Sequence, residues 1–140
     1  LRPSARRFYS GASGEGCWWN GRPARVSGAS RLKEALVTHC DAASFAEQGR
    51  AEAWDRLKRA TNYRAGWADA YGYLLVATGR AEIMLDTVTS LWDCGPFPPI
   101  FEEAGGYYGD WQGAGSIYKN EALGTTQALL PEVLRVLNGE

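Results

Sequence analysis

The segment Ala81–Gly106, AEIMLDTVTSLWDCGPFPPIFEEAGG, decides the reading of this chain. Its apolar opening, Ala81 to Leu85, reads as a short buried strand. Asp86 follows directly, and Asp93 comes seven residues later, behind Trp92. Asp93 reads as the N-cap of a helix that runs to Ala104, with Gly105 as its stop. A carboxylate at the end of a strand and another at the start of a helix can face one cleft. That arrangement suits a divalent cation and a polar substrate. Pro96 is acceptable in a first helical turn, whereas Pro98 and Pro99 predict a late or distorted start.

Working outward, strands and helices alternate from residue 30 onward, which predicts an α/β architecture. Arg6–Tyr9 and Gly16–Trp19 read as short strands around a turn at Gly11–Gly14. Asn20-Gly21 is a hairpin signal, followed by Pro23–Val26. Ser30 can cap a short helical turn, Arg31–Ala35, and Leu36–Cys40 suits a buried strand. Ala43–Ala60 is predicted as one helix, with Phe45, Trp54 and Leu57 on its apolar face. Asn62–Gly66 is a short strand. Asp69–Thr78 is a helix stopped by Gly79. Tyr107–Gly109 and Ser116–Tyr118 are predicted strands, and Gln127–Leu137 is a terminal amphipathic helix.

The 140 residues suit one domain or part of one. A net charge of −1 offers no field for nucleic acid or an anionic membrane. No window approaches the roughly 20 apolar residues that span a bilayer. Cys17, Cys40 and Cys94 are odd in number and widely spaced, so they read as reduced thiols of a cytoplasmic protein rather than as a disulfide framework or zinc site. A chain that begins at Leu1 and has Met84 as its single methionine is expected to lack the start of its reading frame.

The run Tyr71-Gly72-Tyr73-Leu74-Leu75-Val76-Ala77-Thr78-Gly79-Arg80-Ala81-Glu82, then Asp86, Trp92-Asp93 and Glu102-Glu103-Ala104-Gly105-Gly106, resembles the inositol monophosphatase family. Its tyrosine-rich start looks most like the histidinol-phosphatase branch. Asn20-Gly21-Arg22-Pro23 and Val26-Ser27 match that family's hairpin, and Ser116-Ile117 to Asn120 looks like its late strand. The resemblance covers nearly all of the chain but only the family's C-terminal half. It implies residues 1–140 as the C-terminal portion of a layered αβαβα sandwich. The N-terminal metal-binding half, with its Glu-Glu pair and Asp-Pro-x-Asp-Gly-Thr/Ser loop, does not occur here.

What the resemblance implies is a magnesium-dependent phosphomonoesterase acting on a small phosphorylated substrate, in histidine biosynthesis if the branch is right. Family members often form dimers. Asp93 would be the catalytic metal ligand contributed by this half. Asp86 would meet the organic part of the substrate, with Trp67, Ala68 and Asp69 lining the same pocket. Arg64 could reach a phosphate or a substrate carboxylate.

Each of these residues has a plain structural alternative. Asp93 and Asp69 can be helix caps, Asp86 a turn residue, and Arg64 an exposed strand end. His39, the single histidine, reads as a core or edge residue. Ser13–Gly16 lacks a Lys-Ser/Thr ending and is a turn, not a phosphate loop. The six tryptophans lack a basic stripe and read as core, or as surface that meets the missing half. Two other functions stay open: a phosphatase for inositol or sugar phosphates, and a non-catalytic half-domain binding module.

Overall fold

Turn chemistry near the N-terminal end produces a small antiparallel meander of β1 (Tyr9–Ala12), β2 (Gly16–Trp19) and β3 (Arg22–Pro23). The structure, a computed structural model, describes residues 9–66 and 69–140. Asn20 and Gly21 both have positive φ, 49° and 76°, the mirror-image turn whose twist matches a hairpin. The first strand differs from its predicted place. It runs on to Ala12, and the turn falls at Ser13–Glu15, because Gly14 and Gly16 supply the left-handed backbone there. Residues 6–8 of the predicted strand lie outside the described residues. Ala24 N–H still donates to Cys17 O at 2.8 Å, but beyond it the predicted stretch to Val26 leaves the meander, and Val26 N–H donates instead to Ala104 O at 3.0 Å.

β4 (Leu36–His39), β5 (Tyr63–Gly66), β6 (Ile83–Asp86), β7 (Gly106–Gly109) and β8 (Ala122–Thr126) form the main sheet in the order β5-β4-β6-β8-β7. β4 runs parallel to β5 and β6, while β6–β8 and β8–β7 are antiparallel. The sheet is therefore mixed and flanked by helices, as the α/β reading expects. The helices are α1 (Ala42–Glu47), α2 (Ala51–Ala60), α3 (Ala70–Ala77), α4 (Leu91–Cys94), α5 (Phe97–Ala104) and α6 (Leu130–Asn138).

Three predicted elements are corrected. The helix Ala43–Ala60 is two helices, because Gly49, at φ 69°, ends α1. The helix Asp93–Ala104 is also two. Ser90 holds the position before α4, so Asp93 sits inside α4 and is not its cap. Pro96 then precedes α5, and Pro98 and Pro99 fall in its first turn, where no N–H partner is needed. Splitting the helix removes the conflict that the prolines posed. The strand predicted at Ser116–Tyr118 is loop, with Tyr118 75% exposed. The late strand is instead Ala122–Thr126, small and wholly buried between β6 and β7.

Side-chain alternation gives the sheet two faces. Val37, Ile83, Leu85 and Leu123 pack with Trp54, Leu57, Val133 and Leu137 of α2 and α6. Met84 and Ala122 face the other way, with Tyr73 of α3 and Phe97 and Phe101 of α5. Gly72 lets α3 lie close on this face, since a Cβ there would come 2.4 Å from Met84 Sδ. The meander docks through residues of the motif. Arg80 lies over the Trp19 ring at 4.2 Å and donates to Tyr9 Oη at 3.0 Å. The Glu103 carboxylate accepts the N–H groups of Gly14 and Gly16.

Candidate active site

Parallel strands β4 and β6 end side by side, and the crevice beyond the carboxyl ends of such strands is where α/β sheets bind ligands. Here a cavity of about 470 Å³ opens at that place. Its walls come from the residues that follow β4 (Cys40, Asp41, Ser44) and those that end or follow β6 (Asp86 to Thr89). The start of α3 (Asp69, Ala70, Tyr73) and α4–α5 (Asp93, Cys94, Phe97) complete it together with Tyr108. Four aspartates line it and, among the described residues, no basic side chain does.

Asp86 is buried at the cavity floor, on the Met84 face of β6. Its Oδ2 accepts the Tyr73 hydroxyl at 2.9 Å. Burial pushes its carboxyl up to about 6, and the nearby charges of Asp69 and Asp93 act in the same direction. Hydrogen bonds from Cys40 and Tyr73 oppose this without cancelling it. The Tyr73 and Tyr108 hydroxyls are held protonated by burial and by the Asp86 charge. The Cys40 thiol is raised to about 12 by burial and by its hydrogen bond to Asp86. The floor is thus a carboxylate ringed by neutral donors.

Asp69 occupies the position before α3, yet its side chain makes no capping hydrogen bond. Its backbone is strained, with φ 57° and ψ −152°, and strain of this kind concentrates at functional sites. The plain cap reading is corrected for both Asp93 and Asp69: neither carboxylate satisfies a helix N-terminus, and both line the cavity. Asp93 is exposed, and its carboxylate takes no hydrogen bond from a described residue.

Arg64 does not join the site. Its guanidinium donates to the carbonyls of Lys58, Thr61 and Asn62, closing the C-terminal end of α2. Those carbonyls lack helical partners, which explains where the side chain goes. Trp67 and Ala68 lie outside the described residues. His39 is buried against Phe45 and Trp54, matching its reading as a core residue.

Sequence reasoning missed Cys40, Asp41, Tyr73 and Tyr108 as cavity residues. One signal was available. Cys40-Asp41 stands just after β4 as Asp86-Thr87 stands at the end of β6, and parallel neighbours bring such positions together.

Hard carboxylate oxygens are the donor set that magnesium prefers. Among the described residues, however, no three His, Cys, Asp or Glu side chains converge well enough to enclose a metal ion. The donors fit magnesium as part of a ligand set, with Asp93 the free carboxylate.

Comparison with known proteins bears on the family and the fold. The family model for the inositol monophosphatase family matches residues 1–138. A histidinol-phosphatase from Chlorobaculum parvum is 35% identical over 121 residues, 86% of this chain and 47% of that protein. A histidinol-phosphatase from Streptomyces coelicolor is 28% identical over 113 residues, 81% of this chain and 42% of that protein. The inositol monophosphatase structure from Anabaena superposes with a TM-score of 0.86 at 25% identity, covering 95% of this chain and 57% of that one. The chain thus spans less than half the length of these two curated relatives. The chain belongs to the inositol monophosphatase family.

Proposed function

We propose that this chain is the C-terminal portion of a magnesium-dependent phosphomonoester hydrolase of the histidinol-phosphatase branch. The observation that carries this reading is the cavity with four aspartates and, among the described residues, no basic side chain. A phosphomonoester dianion cannot settle among carboxylates unless a cation lies between them. A substrate that also carries an ammonium group gains from the same negative field. Histidinol phosphate has both features, and the curated relatives named above support it.

Asp93 would hold a magnesium ion together with ligands from the preceding half of the domain. When bound, that ion supplies Lewis-acid stabilisation of the phosphoryl group and an activated water. Asp86 and Asp69 orient the organic part of the substrate through the ammonium group. Tyr73 keeps the Asp86 carboxylate oriented from below. Phe97 and Tyr108 give the cavity an apolar wall that excludes water from the bound ring. Trp67 and Ala68 are proposed to extend the wall beside Asp69. The 140 residues alone, with an incomplete ligand set, would be inactive.

The test is phosphate release by the full-length protein, with and without magnesium, from histidinol phosphate and from inositol monophosphate. Magnesium-dependent turnover that favours histidinol phosphate is expected, with Asp93→Asn losing at least about tenfold. Undiminished magnesium-dependent turnover by that variant removes Asp93 from the mechanism. Preference for the inositol ester selects the sugar-phosphate alternative. The lack of an enclosing ligand trio among the described residues favours one further reading, a half-domain binding module. Ligand binding without turnover would select it.

A further inference from the structure

Cys40 ends up between two of the proposed substrate-facing carboxylates without a part of its own in the hydrolysis. Its sulfur accepts the Asp69 N–H at 3.0 Å and lies 3.9 Å from Asp69 Oδ1. The same thiol lines the cavity with Asp86, whose carboxylate is held by the Tyr73 hydroxyl at 2.9 Å. It is half-buried and stays protonated, so it adds a donor to the floor without adding negative charge.

Asp69 needs an anchor. Its φ of 57° and ψ of −152° belong to a region used almost only by glycine. Such a conformation persists only where the surroundings fix it, and no capping bond to α3 compensates. The Cys40 sulfur takes the N–H of that very residue. A single side chain just after β4 therefore anchors the start of α3 in the cavity that Asp86 floors.

We propose that Cys40 is a positioning residue: its sulfur fixes Asp69 beside the Tyr73-held Asp86, and the two carboxylates form a pair that takes the ammonium group of an amino-alcohol substrate. The inference rests on the reading of this cavity as the site for an amine-bearing phosphomonoester. A neutral polyol makes no demand on a paired carboxylate, so its binding does not depend on Cys40.

The test is calorimetric titration of the full-length protein with histidinol and, separately, with myo-inositol. Cys40→Ala is expected to weaken histidinol about tenfold and inositol less than about twofold, the scale of a lost charge-assisted hydrogen bond. Cys40→Val, which nearly keeps the volume, is expected to match Cys40→Ala. Cys40→Ser, which keeps a donor and an acceptor, is expected to recover affinity to within about threefold. The inference is overturned if Cys40→Ala and Cys40→Val bind histidinol normally, or if both ligands weaken equally. It is also overturned if serine gives no recovery at an unchanged melting temperature, or if the unsubstituted protein does not bind histidinol. Histidinol binding with the expected variant pattern, but no hydrolysis of histidinol phosphate, supports the inference and refutes only the hydrolase reading.

Discussion

Replacing Asp86 by Asn measures what it costs to keep a carboxylate on the cavity floor. Asp86 is 7% exposed, and its hydrogen-bonding neighbours, Tyr73 and Cys40, are neutral donors. Its carboxyl therefore titrates at about 6 in the folded protein against an ordinary 3.8. Each pH unit of separation is worth about 1.4 kcal/mol, so the gap amounts to about 3 kcal/mol. The direction follows from proton linkage. Below about pH 4 the group is protonated in both states and costs nothing. Between about pH 4 and 6 the unfolded chain gives up the proton first, and native stability falls as pH rises. Above about pH 6 the full penalty is present. Asn is nearly isosteric, uncharged and still able to accept from Tyr73. In magnesium-free buffer with a chelator, Asp86→Asn is expected to exceed wild type by up to about 3 kcal/mol at pH 8. The gain should vanish near pH 4. Urea unfolding at both pH values reads it directly. A variant no more stable at pH 8, or a gain equal at both pH values, would refute the reasoning. The same substitution should weaken amine binding, the usual exchange of stability against function.

Two further outcomes are expected. Gly124→Ala would place a Cβ 2.7 Å from Phe101 Cζ and 2.8 Å from Tyr73 Cδ1. Overpacking of this kind costs about 1–3 kcal/mol, and it should also shift Tyr73 away from Asp86; an unchanged denaturation midpoint contradicts the packing described. His39 titrates below its ordinary range because burial disfavours the charged ring, and its Nδ1 lacks a partner among the described residues. Its contribution is therefore intact above about pH 6.5 and is lost as pH falls through the depressed folded value. His39→Leu should flatten that acid limb in unfolding melts, and an identical pH profile would show that His39 does not titrate as buried.

Local signals carried much of the fold. The Asn20-Gly21 turn, the strand before Asp86 and the Gly79 and Gly105 stops all form where their residue types place them. The errors have a common origin in competition between local signals and packing. Pro98 and Pro99 looked like an obstacle only because the helix start was placed at Asp93. Ser116–Tyr118 carries more β-propensity than Ala122–Thr126, yet the centre of the sheet takes the latter. Small residues there leave room for Phe101 and Tyr73 above Gly124. Of the four cavity aspartates, Asp86 and Asp93 were legible from their places after a strand and near a helix start. Tyr73 and Cys40 were not, because their relation to Asp86 is made by α3 packing on β6 and by β4 lying parallel to β6. Arg64 was misplaced because sequence cannot show that the nearby α2 carbonyls compete for it.

The placement of Asp86 is a consequence of the core on the opposite face. β6 alternates Ile83 and Leu85 toward α2 and α6 with Met84 and Asp86 toward α3. Its pairing with β8 sets Asp86 opposite Ala122 and Leu85 opposite Leu123. A slip of one residue would turn Asp86 into the apolar layer under Leu57 and Val133, and would drive Leu85 against the Tyr73 hydroxyl. Burying an unpaired carboxylate there costs far more than the strand could recover. The apolar side of the sheet thus enforces the register that the acidic side requires. Substitutions that loosen Ile83 or Leu85 should therefore disturb the site without touching it.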